Sequence, residues 1–279
     1  MITEILLMWA ALTCYVVATA LFVFGVTLTK EKLVRTAVLA SALGLGVQLV
    51  ALGLRWARVG HGPYIGYYEV ANLFTVFVVA FFVVAAWRNP RIRAAGIGIM
   101  PVAVLLLGFA MLLPKGGLPL TPNLASYWLF IHVAFASLAF AAFVISFGLG
   151  IAFVIRERSA EGKWAQRLEK LPAQEVVNDL MTRFVLAGFL FWAVMILSGA
   201  IWANQAWGRY WGWDPIETWS LIVWIIYAVY LHVRFTLGWR GQRLAWFAIV
   251  AMPISLFALL GTPIVFNTVH GGYVGGVDG

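Results

Sequence analysis

Tryptophan and histidine are the residues of this chain placed to do chemistry. There are 14 tryptophans, and six of them lie between positions 202 and 224: Trp202, Trp207, Trp211, Trp213, Trp219 and Trp224. Scattered tryptophans at helix ends would form an aromatic belt at the headgroup level of a membrane. Here they crowd into one loop with Gly208 and Gly212 between them. Each indole can bury roughly 150–250 Å², so several together favour a platform for a flat conjugated ligand over a belt. Of the four histidines, His132 and His270 are expected at the depth of this loop, His61 in the first outer loop and His232 further in. Histidine is a usual haem ligand, and two of them fill both axial positions. The outer pair therefore suits one iron.

Asp-Pro-Ile-Glu, residues 214 to 217, reads as a helix start. Asp is a preferred N-cap, Pro suits the first helical position, and Glu three residues on completes a capping box. The acidity of Asp214 and Glu217 is thus read as capping rather than catalysis. Such a helix N-terminus also favours anions. Arg209 stands two ways, as a bidentate partner for a ligand carboxylate or as a solvated loop charge. The candidate cofactor-contacting set is Trp202, Trp207, Arg209, Trp211, Trp213, Asp214 and Trp219. The candidate iron ligands are His132, His270 and His232. No catalytic acid or base is assigned. The single cysteine, Cys14, lies in an apolar run and cannot form an intrachain disulfide or a CxxC pair.

The elements that must position these residues follow from composition. The 279 residues are 63% hydrophobic and 11% charged, with mean hydropathy +0.93. Soluble domains are about 45–50% apolar and about 25% charged, so soluble, disordered and fibrous classes are excluded. A spanning helix takes about 20 apolar residues. Apolar runs at 4–28, 36–54, 70–87, 95–113, 127–155, 184–203, 217–235 and 244–262 predict eight spans in one all-α integral membrane domain covering residues 1–279. The tryptophan-rich stretch 202–224 is its outer loop and the start of span seven. The first run has only Glu4 before it and lacks the basic flank of a signal peptide, so it is expected to stay as a helix.

Charge sets the expected orientation. Loops 29–35, 88–94, 156–183 and 234–243 hold fifteen Lys and Arg, and the alternate loops hold four: Arg55, Arg58, Lys115 and Arg209. Basic residues gather in cytoplasmic loops. Both termini and the tryptophan loop are therefore expected outside. The same rule accounts for the net charge of +8 without nucleic acid. His132 then lies near the outer end of span five, four residues after Trp128, and His270 follows span eight. His232 is 17 residues past Pro215, about 25 Å along a helix, near the inner face. The long inner loop 156–183 carries Trp164, Leu168, Leu171, Val176 and Leu180 at near-helical spacing around Pro172. It is expected to form one or two short amphipathic helices on the inner leaflet or a tether between two four-helix halves.

Trp-Gly-Arg-Tyr-Trp-Gly-Trp-Asp-Pro, residues 207 to 215, resembles the tryptophan-rich "WWD" haem-handling motif of the cytochrome c assembly proteins. The segment from Glu217 to Arg234 is similar to the CcsA/ResC type, apart from Ile216 where that type has Lys. The resemblance implies eight spans and a role in attaching haem b to the CxxCH motif of apocytochrome c on the outer side. It implies that His132 and His270 are the outer axial ligands and His232 one of two inner ligands. No second inner histidine is present, which implies a CcsB/ResB-type partner and an obligate synthase complex. His61 corresponds to a glycine-histidine-proline stretch in which Gly62 here separates His61 from Pro63, and its role stays open. The implied membrane is a bacterial plasma membrane, with a thylakoid membrane as the other candidate.

Three other readings compete. A haem chaperone or exporter of the CcmC type would use the same loop, but that type is shorter, often with six spans. A b-type dihaem cytochrome needs paired histidines on the same helices, whereas each histidine here sits on a different segment. A transporter unrelated to haem would show broken helices in matching positions of two halves, and no such pattern is visible.

Overall fold

Apolar stretches of this length have one way to satisfy their backbone in a bilayer, which is to hydrogen-bond within each helix. The computed structural model, which describes residues 1–117, 120–158 and 174–270, follows that rule. The spanning helices are α1 (Ile2–Thr27), α2 (Glu31–Val59), α3 (Tyr67–Arg88), α4 (Gly96–Leu112), α5 (Tyr127–Arg158), α6 (Gln174–Trp207), α7 (Pro215–Phe235) and α8 (Gln242–Leu256). A 3₁₀ turn at Pro90–Ala95 leads into α4. A π turn at Phe257–Gly261 and a last helical turn at Thr262–Val265 prolong α8. Among the described residues there is no strand, and eight helical segments are long and apolar enough to cross a membrane. The chain is an integral membrane protein.

Several boundaries differ from the sequence expectation, most of all the start of the sixth span, expected at residue 184 and found at Gln174, and two of them move residues named above. The first outer loop is expected from residue 55, but α2 runs to Val59, so Arg55 and Arg58 are helical. The sixth span is expected to end at residue 203, but α6 continues to Trp207, so Trp202 and Trp207 sit on its last turns rather than in a loop. Polar residues ended the predicted spans too early because neighbouring helices give them partners. Of the expected inner-leaflet segment, 159–173 lies outside the described residues, and Val176 and Leu180 belong to α6.

Helix α5 is the centre of the bundle. Its most apolar stretch is 78% buried, against 28% for α1. It packs mainly against α6 and also against α3, α4 and α8. Its contact with α4 depends on small residues. A Cβ on Gly148 would come within 2.5 Å of the Ala95 carbonyl oxygen. Close backbone approach of this kind is how helices gain packing energy in lipid, where the solvent is as apolar as the side chains. Behind it, Phe143 of α5 stacks on Tyr227 of α7, with centroids 3.5 Å apart.

The start of α1, the end of α2 and the start of α3 are joined by ions. Arg55, 2% exposed, donates to Glu4 of α1 at 3.1 Å and Glu69 of α3 at 2.8 Å. It also donates to the carbonyls of Lys115 and Gly116 at 3.0 Å each and lies over the Tyr68 ring at 4.6 Å. Arg58 completes the set with hydrogen bonds of 3.0 and 2.9 Å to Glu4 Oε2. Two of the four basic residues expected in outer loops are thus paired with acids. At the opposite end, Arg234 of α7 donates to Asp179 of α6 at 3.0 Å, and Asn178 accepts the Gly241 N–H at 3.0 Å. These contacts tie the α7–α8 connection to α6.

Candidate functional site

The first turns of α5, the end of α6, the 208–214 loop, the start of α7 and the chain after α8 meet at one end of the bundle. The meeting point starts from the helix cap. Asp214 is the N-cap of α7, accepting from the Ile216 N–H at 2.9 Å. Glu217 Oε2 reaches back to the N–H groups of Asp214 at 3.2 Å and Gly212 at 2.7 Å. The capping box read in the sequence is formed, and its N3 carboxylate also holds the loop. Trp213 adopts a left-handed backbone with φ 56°, an uncommon conformation for a bulky residue.

Asp214 does more than cap. Its Oδ2 accepts from the Val269 N–H at 2.9 Å, and its Oδ1 lies 3.2 Å from His270 Nδ1. One carboxylate therefore fixes both the start of α7 and the chain beyond α8. Burial pushes the Asp214 carboxyl up. The hydrogen bonds from His270, Val269 and Ile216 outweigh that, and the net shift is below the ordinary carboxylate value. Because an ionised carboxylate only accepts, His270 Nδ1 donates to Asp214, and in the neutral ring Nε2 bears the lone pair.

His132 is held by the same logic on another element. Its Nδ1 lies 2.8 Å from the Met195 carbonyl oxygen of α6, which can only accept. Nε2 is again the free base. The ring fits because position 199 is glycine. A Cβ there would come within 2.5 Å of His132 Nδ1 and 2.8 Å of Cε1. Among the described residues neither histidine makes a hydrogen bond through Nε2.

Both imidazoles line one cleft with about 890 Å³ of open space, counting its mouth. Its walls are mostly apolar and aromatic, with Phe74, Trp192, Trp202 and Trp211 among them. Trp202, 4% exposed, is pinned by its Nε1 donating to the Asn123 carbonyl at 2.9 Å. Trp202 and Trp207 meet edge to face at 4.9 Å, and His270 lies 5.9 and 4.7 Å from the two rings.

The structure distributes the remaining sequence candidates. Trp211 lines the cleft, and Trp213 stands perpendicular to it at 5.8 Å, 68% exposed. Arg209 is exposed, with its guanidinium over Gly212. Trp219 packs edge-on against Phe257 of the π turn, and Trp224 stacks on Phe189 at 4.9 Å inside the bundle. The six tryptophans are thus not one flat platform. His232 is exposed near the other end of α7, with Thr236 Oγ1 3.4 Å from its Nδ1. His61 is buried, within 2.9 Å of the Gly62 carbonyl oxygen and 3.7 Å of Glu69, as part of the ion network.

Residues that sequence reasoning passed over also build the site. Trp192 lines the cleft and donates through Nε1 to the Ser220 carbonyl at 2.9 Å. Met195 acts through its backbone, and Gly199 through its missing side chain. Trp192, Met195 and Gly199 fall at helical spacing on the α6 face that carries Trp202, and that spacing was the available signal. Among the described residues, Glu217 Oε1 is buried beside the cleft without a hydrogen-bond partner.

Residues 64–270, from just before α3 to His270, match the family described as Cytochrome C assembly protein. The chain is 35% identical over 268 residues to the "Cytochrome c biogenesis protein CcsA" of Prochlorococcus marinus (strain NATL1A), covering 85% of this chain and 83% of that one. It is 33% identical over 244 residues to the CcsA of Mesostigma viride, covering 78% and 80%. The solved structure "Cytochrome c Heme Lyase CcmF" shares the fold with TM-score 0.68 at 16% identity, over 97% of this chain and 48% of that one, so this chain corresponds to about half of it. The chain belongs to the cytochrome c assembly protein family.

Proposed function

We propose that this protein acts in cytochrome c biogenesis, holding haem b between His132 and His270 for attachment to the CxxCH motif of apocytochrome c. The observation that carries this reading is the pair of imidazoles from different elements, each with Nδ1 engaged and Nε2 free, facing one aromatic cleft. Metal-ligating histidines almost always donate their other ring N–H to a carbonyl or carboxylate. The residues present therefore fit a bis-histidine haem. The names of the relatives, cytochrome c biogenesis proteins, support the same assignment.

When bound, haem supplies the vinyl carbons to which the two thiols of the apocytochrome segment add. The work of this chain is positioning. His132 and His270 hold the iron, Trp202, Trp207 and Trp211 offer aromatic surface for the macrocycle, and the apolar cleft excludes water. Asp214 and Glu217 keep the 208–214 loop against the start of α7, which makes the arrangement rigid before any ligand arrives. No acid or base is assigned to the addition itself, so rate is gained by orientation and by protecting the iron from unwanted redox chemistry.

His232, on the same helix as Asp214 but about 25 Å further along, is proposed to contact haem at the inner side. A second inner ligand would come from a CcsB/ResB-type partner in an obligate complex. The proposed membrane is a bacterial plasma membrane, with the cleft on its outer side by the charge rule. The thylakoid alternative draws on the cyanobacterial relatives.

Absorption spectroscopy of the complex purified from membranes tests this reading. A six-coordinate low-spin haem spectrum is expected. His132→Gly and His270→Gly should each lower haem retention and cytochrome c maturation, with partial recovery on adding imidazole. Normal spectra and normal maturation in both variants would overturn the proposal.

A further inference from the structure

The two imidazoles are anchored by groups of different charge. Met195 offers His132 a neutral carbonyl oxygen at 2.8 Å. Asp214 offers His270 a carboxylate oxygen at 3.2 Å. A carboxylate draws the Nδ1 proton more strongly than a carbonyl dipole does, and so leaves more electron density on Nε2 and makes it the more basic ligand.

The carboxylate is itself immobilised. Oδ1 also takes the Ile216 N–H, and Oδ2 takes the Val269 N–H one residue before the histidine. The ring edges of Trp202 and Trp207 close on the imidazole from the sides. His270 is thus fixed through charge, backbone and ring contacts at once. His132 is fixed through a backbone carbonyl and the close approach allowed by Gly199, which orients the ring without adding charge to it.

We infer that Asp214 is a positioning residue that makes His270 the stronger axial ligand, so that His132 is the one exchanged for the incoming histidine of apocytochrome c. This rests on the bis-histidine reading given above. It assigns the capping aspartate a second task and breaks the equivalence of the two ligands.

The test uses the purified membrane complex and reads the haem spectroscopically. Asp214→Asn keeps an equally good N-cap and nearly the same shape while removing the charge, and with it the acceptor of the Val269 N–H. It should raise the haem midpoint potential and weaken haem retention about 10–100-fold. In the ferrous His132→Gly background, where His270 is the remaining protein ligand, Asp214→Asn should lower the iron–histidine stretching frequency in resonance Raman spectra. In the His270→Gly background it should leave that frequency unchanged. Equal shifts in both backgrounds, or no shift in potential, would overturn the inference.

A second measurement does not depend on Asp214→Asn folding. His132→Gly should retain more haem than His270→Gly, by about tenfold or more, and should still accept a CxxCH peptide as sixth ligand. The reverse order would sink the assignment. A wild-type complex without a six-coordinate low-spin spectrum would remove the haem reading, whereas a normal wild-type spectrum with either failure above removes the inference alone.

Discussion

At the scale of single residues, the site depends as much on what is missing as on what is present. Gly199 has no side chain because His132 occupies the space. Overpacking a tight contact costs about 1–3 kcal/mol. Gly199→Ala is therefore expected to push the His132 ring from the Met195 carbonyl and to lower haem retention severalfold while the bundle still folds. A Soret-to-protein absorbance ratio, read beside circular dichroism, checks this. Gly199→Val should be worse, since its branched side chain cannot turn away from the ring. Trp202 makes the opposite case, since its indole N–H ties α6 to the Asn123 carbonyl of the loop before α5. Trp202→Phe should keep the aromatic wall, lose that tie, and give a smaller loss of haem than Trp202→Ala.

At the scale of elements, the start of α7 organises everything around it. The Glu217 carboxylate takes two backbone N–H groups, and the Asp214 carboxylate takes two more and an imidazole. Loss of an N-cap interaction typically costs about 0.5–2 kcal/mol. Glu217→Ala should destabilise the protein within that range and free the 208–214 loop. Limited proteolysis in detergent should then cut near Gly208–Gly212 in the variant and spare the wild type. Glu217→Gln retains an acceptor for both N–H groups, so protection close to wild type is expected there. Equal protection of Glu217→Ala and wild type would show that the loop is held by other contacts.

At the scale of the whole molecule, buried ions join α1, α2 and α3, which also share the buried hydrogen bonds of Tyr15 to Gln48 and of Gln48 to Asn72. Arg55 bridges α1 and α3 from within α2. Removing Arg55 takes the arginine from buried Glu69 and leaves Glu4 with Arg58 alone, and breaking a buried ion set costs about 3–5 kcal/mol. Arg55→Ala should accordingly lower thermal stability strongly. Arg58, with a side chain 34% exposed, should cost no more than about 1 kcal/mol when changed to Ala. Differential scanning fluorimetry of the two variants side by side tests the ranking. Orientation is open to a direct test as well. In a Cys14→Ser background, a cysteine at Val269 should react with a membrane-impermeant maleimide added from outside, and one at Leu237 only after permeabilisation.

Composition and apolar run length were enough to read the number of spans and the all-α class, because a bilayer leaves an apolar backbone segment no other hydrogen-bonding solution. The Asp214–Glu217 capping box was legible for a related reason, since capping is a local interaction among four consecutive residues. Helix ends were less legible. Arg55 and Trp207 looked like loop residues, and the helices continue through them because distant partners make their burial affordable. The tryptophans show the same limit, because spacing in the chain placed six of them together while packing turned Trp219 and Trp224 into the bundle. Only the tertiary structure decided that His132 would meet the Met195 carbonyl and His270 the Asp214 carboxylate. Those contacts join residues 63 and 56 positions apart, and no local pattern encodes which helix faces will meet.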